Sequence, residues 1–242
     1  MSSWREGDRI KTMRKKQEHP GWKVLLVGGS SAVGKTVVTK ALAQYFQVPI
    51  LLVDDIRLAL QQTTAPDQQP ALHIFLTNPP APPYSPEQIC KDLVTVGRAI
   101  SPAIKVVMAH HTVVTGAGAV IIEGDGILPE LAAQRDFSEL KFFWGLQTTR
   151  EIRSVFLNEP DENIILKNMQ ARGRGFNELP INEQRLWANA SLLYGQWLCR
   201  EAAATQMPVV DARPYDTLLE RILLELDTCD SDLFGPTEPS FS

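Results

Sequence analysis

The sequence predicts an α/β fold: a five-stranded, mainly parallel sheet with helices on both faces and a lid. Three observations carry this. Five short, continuous apolar runs recur between stretches of helical periodicity, as expected of strands buried on both faces by crossover helices. The first run ends in glycines that open directly into a helix. Gly28, Asp54, Glu123 and Asp211 all fall at the carboxyl ends of predicted strands, the edge at which such sheets bind ligands.

The elements follow in order. Residues 1–20 mix six bases with three acids and read as a basic N-terminal arm. Lys23 to Val27 is the first strand. Lys35 to Phe46 places Val37, Val38, Ala41, Leu42 and Tyr45 at helical spacing. Pro49 to Val53 is a second strand, followed by a helix over Asp55 to Gln62. Residues 66–86 hold seven of the seventeen prolines and read as an irregular insertion, since proline removes a donor and fixes φ. Ser85-Pro86 is a helix start, with serine as N-cap, and the helix runs to about Thr115. Gly118 to Ile122, Leu140 to Leu146 and Met207 to Val210 are the third, fourth and fifth strands. A lid region is expected over about 148–185, and an acidic tail over 227–242. The organisation is thus one domain over 21–226, flanked by arm and tail.

Composition excludes several classes. With 242 residues, 44% hydrophobic and 21% charged, the chain can bury a core without staples. A net charge of −4 argues against a general nucleic-acid binder or a membrane-surface protein. Cys90, Cys199 and Cys229 are far apart and unpatterned, as suits free thiols in a reducing, cytoplasmic setting. No run approaches 18 apolar residues, and the N-terminus lacks the apolar stretch of a secretory leader.

Gly29-Ser30-Ser31-Ala32-Val33-Gly34-Lys35-Thr36 fits G-x-x-x-x-G-K-[ST], the phosphate-binding loop or Walker A motif. A chance match in a chain this long has odds on the order of 1%. The preceding strand and following helix are the context the motif needs. Backbone N–H groups of such a loop point inward on an anion, and the new helix adds its N-terminal partial charge. Lys35 can reach β- and γ-phosphates, and the Thr36 hydroxyl can ligate Mg²⁺. No Asn-Lys-x-Asp segment for guanine occurs, which favours ATP.

Asp54, after the second strand, is placed to orient and deprotonate an attacking hydroxyl. Its competing role is to cap the next helix. Arg57, one turn on, can hold an anionic substrate. Glu123 ends four apolar residues in a Walker-B arrangement and can hold Mg²⁺ or face substrate, with Asp125 as the weaker candidate. Arg172 and Arg174, between glycines, suit a hinged lid that meets transition-state charge; Arg150 and Arg153 are secondary candidates on a helical start. His19, His73, His110 and His111 lack metal-ligand spacing and read as structural.

These residues support a resemblance. Leu25 to Thr36 looks like the loop of the P-loop small-molecule kinases, and its Gly-Gly-Ser-Ser opening is most similar to the 2-phosphoglycerate kinase group. Asp54-Asp55-Ile56-Arg57 resembles that group's Asp-x-Ile-Arg, and Ile121 to Gly124 with Leu128-Pro129 resembles its Glu-Gly segment. The resemblance spans roughly residues 22 to 215. It implies a nucleoside-kinase-like P-loop NTPase fold, ATP and Mg²⁺, and transfer to a hydroxyl of a small, anionic, 2-phosphoglycerate-like acceptor. The phosphate-binding role carries onto Gly29, Gly34, Lys35 and Thr36, and the base role onto Asp54. Zeta-toxin-like and antibiotic phosphotransferases share the same loop and acid, and a regulatory ATPase without an acceptor is the alternative from another class. Residues 66–86 and 75–115 match nothing in the group.

Overall fold

A computed structural model describes residues 20–77, 84–113, 117–134, 137, 151–173 and 175–231. Strands β1 (Val24–Gly29), β2 (Ile50–Leu52), β3 (Val120–Glu123), β4 (Ile152–Asn158) and β5 (Val209–Asp211) form one sheet in the order β2-β3-β1-β4-β5. Every pairing is parallel. The major helices are α1 (Lys35–Phe46), α2 (Val53–Thr63), α3 (Pro86–Val113), α4 (Glu162–Ala171), α5 (Ile181–Ala204) and α6 (Leu218–Ser231). This is the expected five-stranded parallel α/β architecture, with the glycine-rich loop joining the central strand to its helix.

Alternation along β1 sorts the cores. Leu25 and Val27 join Ile121, Val155 and Leu157 on one face, covered by Val38 and Leu42 of α1 and Leu218 and Ile222 of α6. Val24 and Leu26 join Ile122, Ile152 and Phe156 on the other, covered by Ile100, Ile104 and Met108 of α3 and Tyr194 and Leu198 of α5. The helix α3 has the length and hydropathy of a membrane span, yet its apolar residues pack into this core. It starts as expected: the Ser85 hydroxyl accepts from the Gln88 N–H at 3.2 Å.

Register sets the site. Glu123 lies opposite Val27 on one side and Leu52 on the other. The segments after β1, β2 and β3 therefore leave the sheet side by side. Gly124 makes this possible, because a Cβ there would lie 2.4 Å from Val53 Cβ.

Three expectations differ. Among the described residues the fourth strand is Ile152–Asn158, a buried strand inside the span expected as lid, and the run over 140–146 lies outside them. Arg153 accordingly sits in the middle of β4, opposite Leu25, and not on a helix start. The acidic tail is helical at its beginning, because α6 continues to Ser231. Val53 is also the first residue of α2 and not the last of β2. The arm over 1–19, residues 78–83 of the proline-rich segment and the tail beyond 231 lie outside the described residues. The part of that segment in view is anchored: buried Gln61 donates to the Leu72 carbonyl at 2.6 Å, and buried His73 contacts Thr64 Oγ1 at 3.3 Å.

Gly124→Ala should destabilise the fold by about 1–3 kcal/mol through overpacking. In a double-mutant cycle read by denaturant unfolding, Gly124→Ala with Val53→Gly, which removes the Cβ that the new methyl meets, should cost clearly less than the sum of the two single changes. Simple additivity would show that the close approach is not the constraint.

Candidate functional site

The loop from Gly29 to Lys35 crosses the carboxyl edge of the sheet and delivers its helix at Lys35. Gly34 is the N-cap at φ +98°, a conformation that only glycine adopts without cost. Ala32 is also left-handed, at φ +66°. That costs roughly 1 kcal/mol, and its buried methyl packs against Ile165, Met169 and Ala188 of α4 and α5. Two further bonds tie the loop to these helices. Asn168 Nδ2 donates to the Ala32 carbonyl at 2.8 Å, and Ser191 Oγ donates to the Ser31 carbonyl at 2.8 Å.

Lys35 is only 3% exposed. Its ammonium donates to the carbonyls of Gly29 at 2.9 Å and Ser30 at 2.7 Å, which uses two of its three donors. Burial pushes its pKa down, and the nearby carboxylates of Asp125, Glu123 and Asp54 oppose that shift. Glu123 is 6% exposed, and burial pushes its pKa up, against the pull of Lys35 and a hydrogen bond from Thr36. That bond runs from Thr36 Oγ1 to Glu123 Oε2 at 3.1 Å.

These groups line one cavity of about 500 Å³ together with Ser31, Asp54, Arg57, Asp125 and Arg172. Asp54 and Arg57 form an ion pair at 2.9 Å, with the side chains 52% and 31% exposed. An exposed pair of this kind is weak, so either partner can exchange the other for a ligand. Asp54 does not cap α2; the N-cap is Leu52, and no side chain caps that end. Arg172, at the end of α4, donates to Ser31 Oγ at 3.3 Å. It is followed by Gly173 at φ +70° and Gly175 at φ +76°.

The structure thus brings Ser31, Lys35, Thr36, Asp54, Arg57, Glu123 and Arg172 to a single cavity, with Asp125 added. Arg174 and Arg150 lie outside the described residues. Arg153 is not among the residues lining this cavity. His111 bonds the Gly118 carbonyl at 2.8 Å, and His110 packs edge-on against it, as structural histidines do. Cys90 and Cys199 are free, and burial pushes both thiols up.

The oxygen set suits Mg²⁺. The Thr36 hydroxyl and Glu123 carboxylate are hard donors in contact at the end of the loop. Among the described residues no group of three or more His, Cys, Asp and Glu forms a metal cage. Two protein oxygens beside the glycine-rich loop would serve a Mg²⁺ shared with nucleotide phosphates.

Sequence reasoning did not single out Phe75, Leu93 and Val96, which line the same cavity, or Trp187 and Phe176 beside it. They come from separated elements, and no local motif marks them.

No family model matches the chain, and no curated protein matches it. Among solved structures it is similar to a gluconokinase from Sinorhizobium meliloti 1021, at 15% identity over 88% of this chain and 97% of that one, with a TM-score of 0.48. A shikimate kinase from Acinetobacter baumannii in complex with shikimate matches at 16% identity over 89% and 98%, with a TM-score of 0.46. A deoxyadenosine kinase from M. mycoides matches at 13% identity over 85% and 99%, with a TM-score of 0.44. The functional reading therefore rests on the geometry of the site itself.

Lys35→Ala should weaken Mg·ATP binding, followed by calorimetry, by at least ~10-fold, the scale of losing one hydrogen bond to a charged group. The fold should persist, because burial already disfavours this charge. Wild-type protein that binds no nucleotide at millimolar Mg·ATP would sink the assignment of the loop.

Proposed function

We infer that the protein is an ATP-dependent kinase that transfers the γ-phosphoryl group to a hydroxyl of a small molecule. One observation carries this reading. The loop Lys35, the Thr36–Glu123 oxygen pair and the Asp54–Arg57 pair face one cavity from three adjacent strand ends. A machine that only hydrolyses nucleotide has no need of the third group.

In this reading the loop N–H groups and Lys35 hold the β- and γ-phosphates, and Thr36 with Glu123 holds Mg²⁺. When bound, Mg²⁺ neutralises charge on the phosphate oxygens. Asp54 accepts the proton of the acceptor hydroxyl as its oxygen bonds to the γ-phosphorus. The bond from that phosphorus to the bridging oxygen breaks, and ADP leaves with the electron pair. Arg57 steers Asp54 and offers its remaining donors to the acceptor. Asp125 is the first of the carboxylates that favour the charged form of Lys35 against the effect of burial. Arg172, with Arg174 beyond the intervening glycine, meets the charge that develops on the transferring group. The left-handed glycines around them support a hinge at the end of α4. A 2-phosphoglycerate-like acceptor has Arg57 and Arg172 as its available cations and is the first anionic acceptor to assay.

Asp54→Asn keeps the shape but removes the basicity. Phosphoryl transfer to an acceptor should fall by at least ~100-fold, while Mg·ATP binding stays within a few-fold. If acceptors leave ATP turnover unchanged in the wild type, and basal hydrolysis survives in Asp54→Asn, the regulatory ATPase reading is preferred.

Arg172→Ala should lower kcat at least ~10-fold with little change in the KM for ATP, because its target charge exists mainly in the transition state. Steady-state kinetics with a matching rise in KM instead would make Arg172 a ground-state phosphate ligand.

A further inference from the structure

Beside the catalytic cavity lies a second chamber of about 460 Å³. The two share Ser31, Leu93, Asp125 and Arg172, so they are continuous. The shared space sits next to the loop, and the rest of the second chamber is walled by Met169, Phe176, Leu179 and Trp187. Trp187 packs against Phe75 with ring centroids 6.0 Å apart, and Phe75 lines the catalytic cavity. An aromatic wall therefore runs from one chamber into the other.

The charged groups of this chamber, Asp125 and Arg172, stand at the end it shares with the catalytic cavity. Ser191 donates to the Ser31 carbonyl, and Arg172 donates to Ser31 Oγ at the mouth. Among the described lining residues there is no lysine or second arginine. A charged body seated against Met169, Phe176, Leu179 and Trp187 loses its water and gains no partner from those side chains. An apolar body gains from every carbon it buries.

In-line transfer places the acceptor on the far side of the γ-phosphate from the departing ADP. The sheet order puts β2 and β3 on one side of the loop and β4 and β5 on the other. Asp125, which follows β3, lines the catalytic cavity with Asp54 and Glu123, and Leu93 lines both cavities. The β5 side of the loop is met by Tyr215, whose hydroxyl accepts from Asn168 and whose ring faces Gly34.

We propose that this chamber is the specificity pocket of the acceptor, and that the acceptor is an alcohol with an uncharged aromatic or alicyclic body. The hydroxyl faces Asp54 in the polar cavity, and the ring stacks along Trp187 and Phe176. This rests on the kinase reading and deepens it. Each buried methylene is worth about fourfold in affinity, so a phenyl-sized group should add at least ~50-fold.

The test uses the full chain saturated with Mg²⁺ and a non-hydrolysable ATP analogue. The probes are 3-phenylpropane-1,2-diol, glycerol and 2-phosphoglycerate, followed by saturation-transfer NMR and tryptophan emission. The aromatic diol should bind at least ~50-fold more tightly than glycerol and should change an emission that is lost in Trp187→Phe. Leu179→Asp should weaken the diol at least ~10-fold and leave analogue binding unchanged. Preference for glycerol or 2-phosphoglycerate with analogue binding intact overturns the proposal and leaves the kinase reading standing. A Trp187 emission change with adenosine alone makes the chamber the nucleobase site and also overturns it. Absence of any analogue binding overturns the kinase reading and this proposal together.

Discussion

A buried ammonium must be kept charged, and most of the site is arranged around that requirement. Lys35 is drawn under the loop by its place at the first turn of α1, where water cannot stabilise it. Two loop carbonyls solvate it directly. Asp125, Glu123 and Asp54 favour its charged form from further away, in that order. Those acids arrive from two different strand ends, and they are near one another because β2, β3 and β1 are adjacent, parallel and in register. Glu123 shares the same problem with opposite sign: burial disfavours its charge and pushes its pKa up, and Lys35 and Thr36 pull against that shift. The sheet is thus a device for bringing mutually dependent charges to one edge of a dry interior.

How much of this could be read from the chain depends on how local each feature is. The helix Lys35–Phe46 was legible to the residue and β1 to within two residues, because the G-x-x-x-x-G-K-[ST] spacing ties a strand end to a helix start within one turn. Asp54, Arg57 and Glu123 were legible because a strand end is a local event and parallel strands align their ends. β4 was not. Its sequence, Ile152-Arg153-Ser154-Val155-Phe156-Leu157-Asn158, carries an arginine and a serine where a buried strand is expected to be apolar. A cleaner apolar run at 140–146 drew the assignment instead. The pairing of Arg153 beside Leu25 is a tertiary fact that no window of sequence contains.

The aromatic chamber was hidden for a related reason. Trp187, Phe176, Met169 and Leu93 sit on three helices and a turn, and each reads singly as an ordinary core residue. Their shared surface is created where α4 packs on α5 and α5 packs on α3. The proline-rich segment shows the reverse: an irregular sequence that is nonetheless pinned, by Gln61 and His73, at the rim of the cavity that Phe75 enters.

Ala32 adds a thermodynamic link between loop and lid region. Its left-handed backbone is held by a methyl packed on Ile165, Met169 and Ala188, a cluster separate from the two cores that flank the sheet. Docking of α4 and the shape of the loop are therefore one equilibrium observed at two places. An anion that favours the cradled loop must favour docked α4 by the same factor, and anything that seats α4 must tighten the loop on its anion equally. The small size of the cluster keeps that exchange inexpensive, so the two ends of the site can inform each other without disturbing the sheet between them.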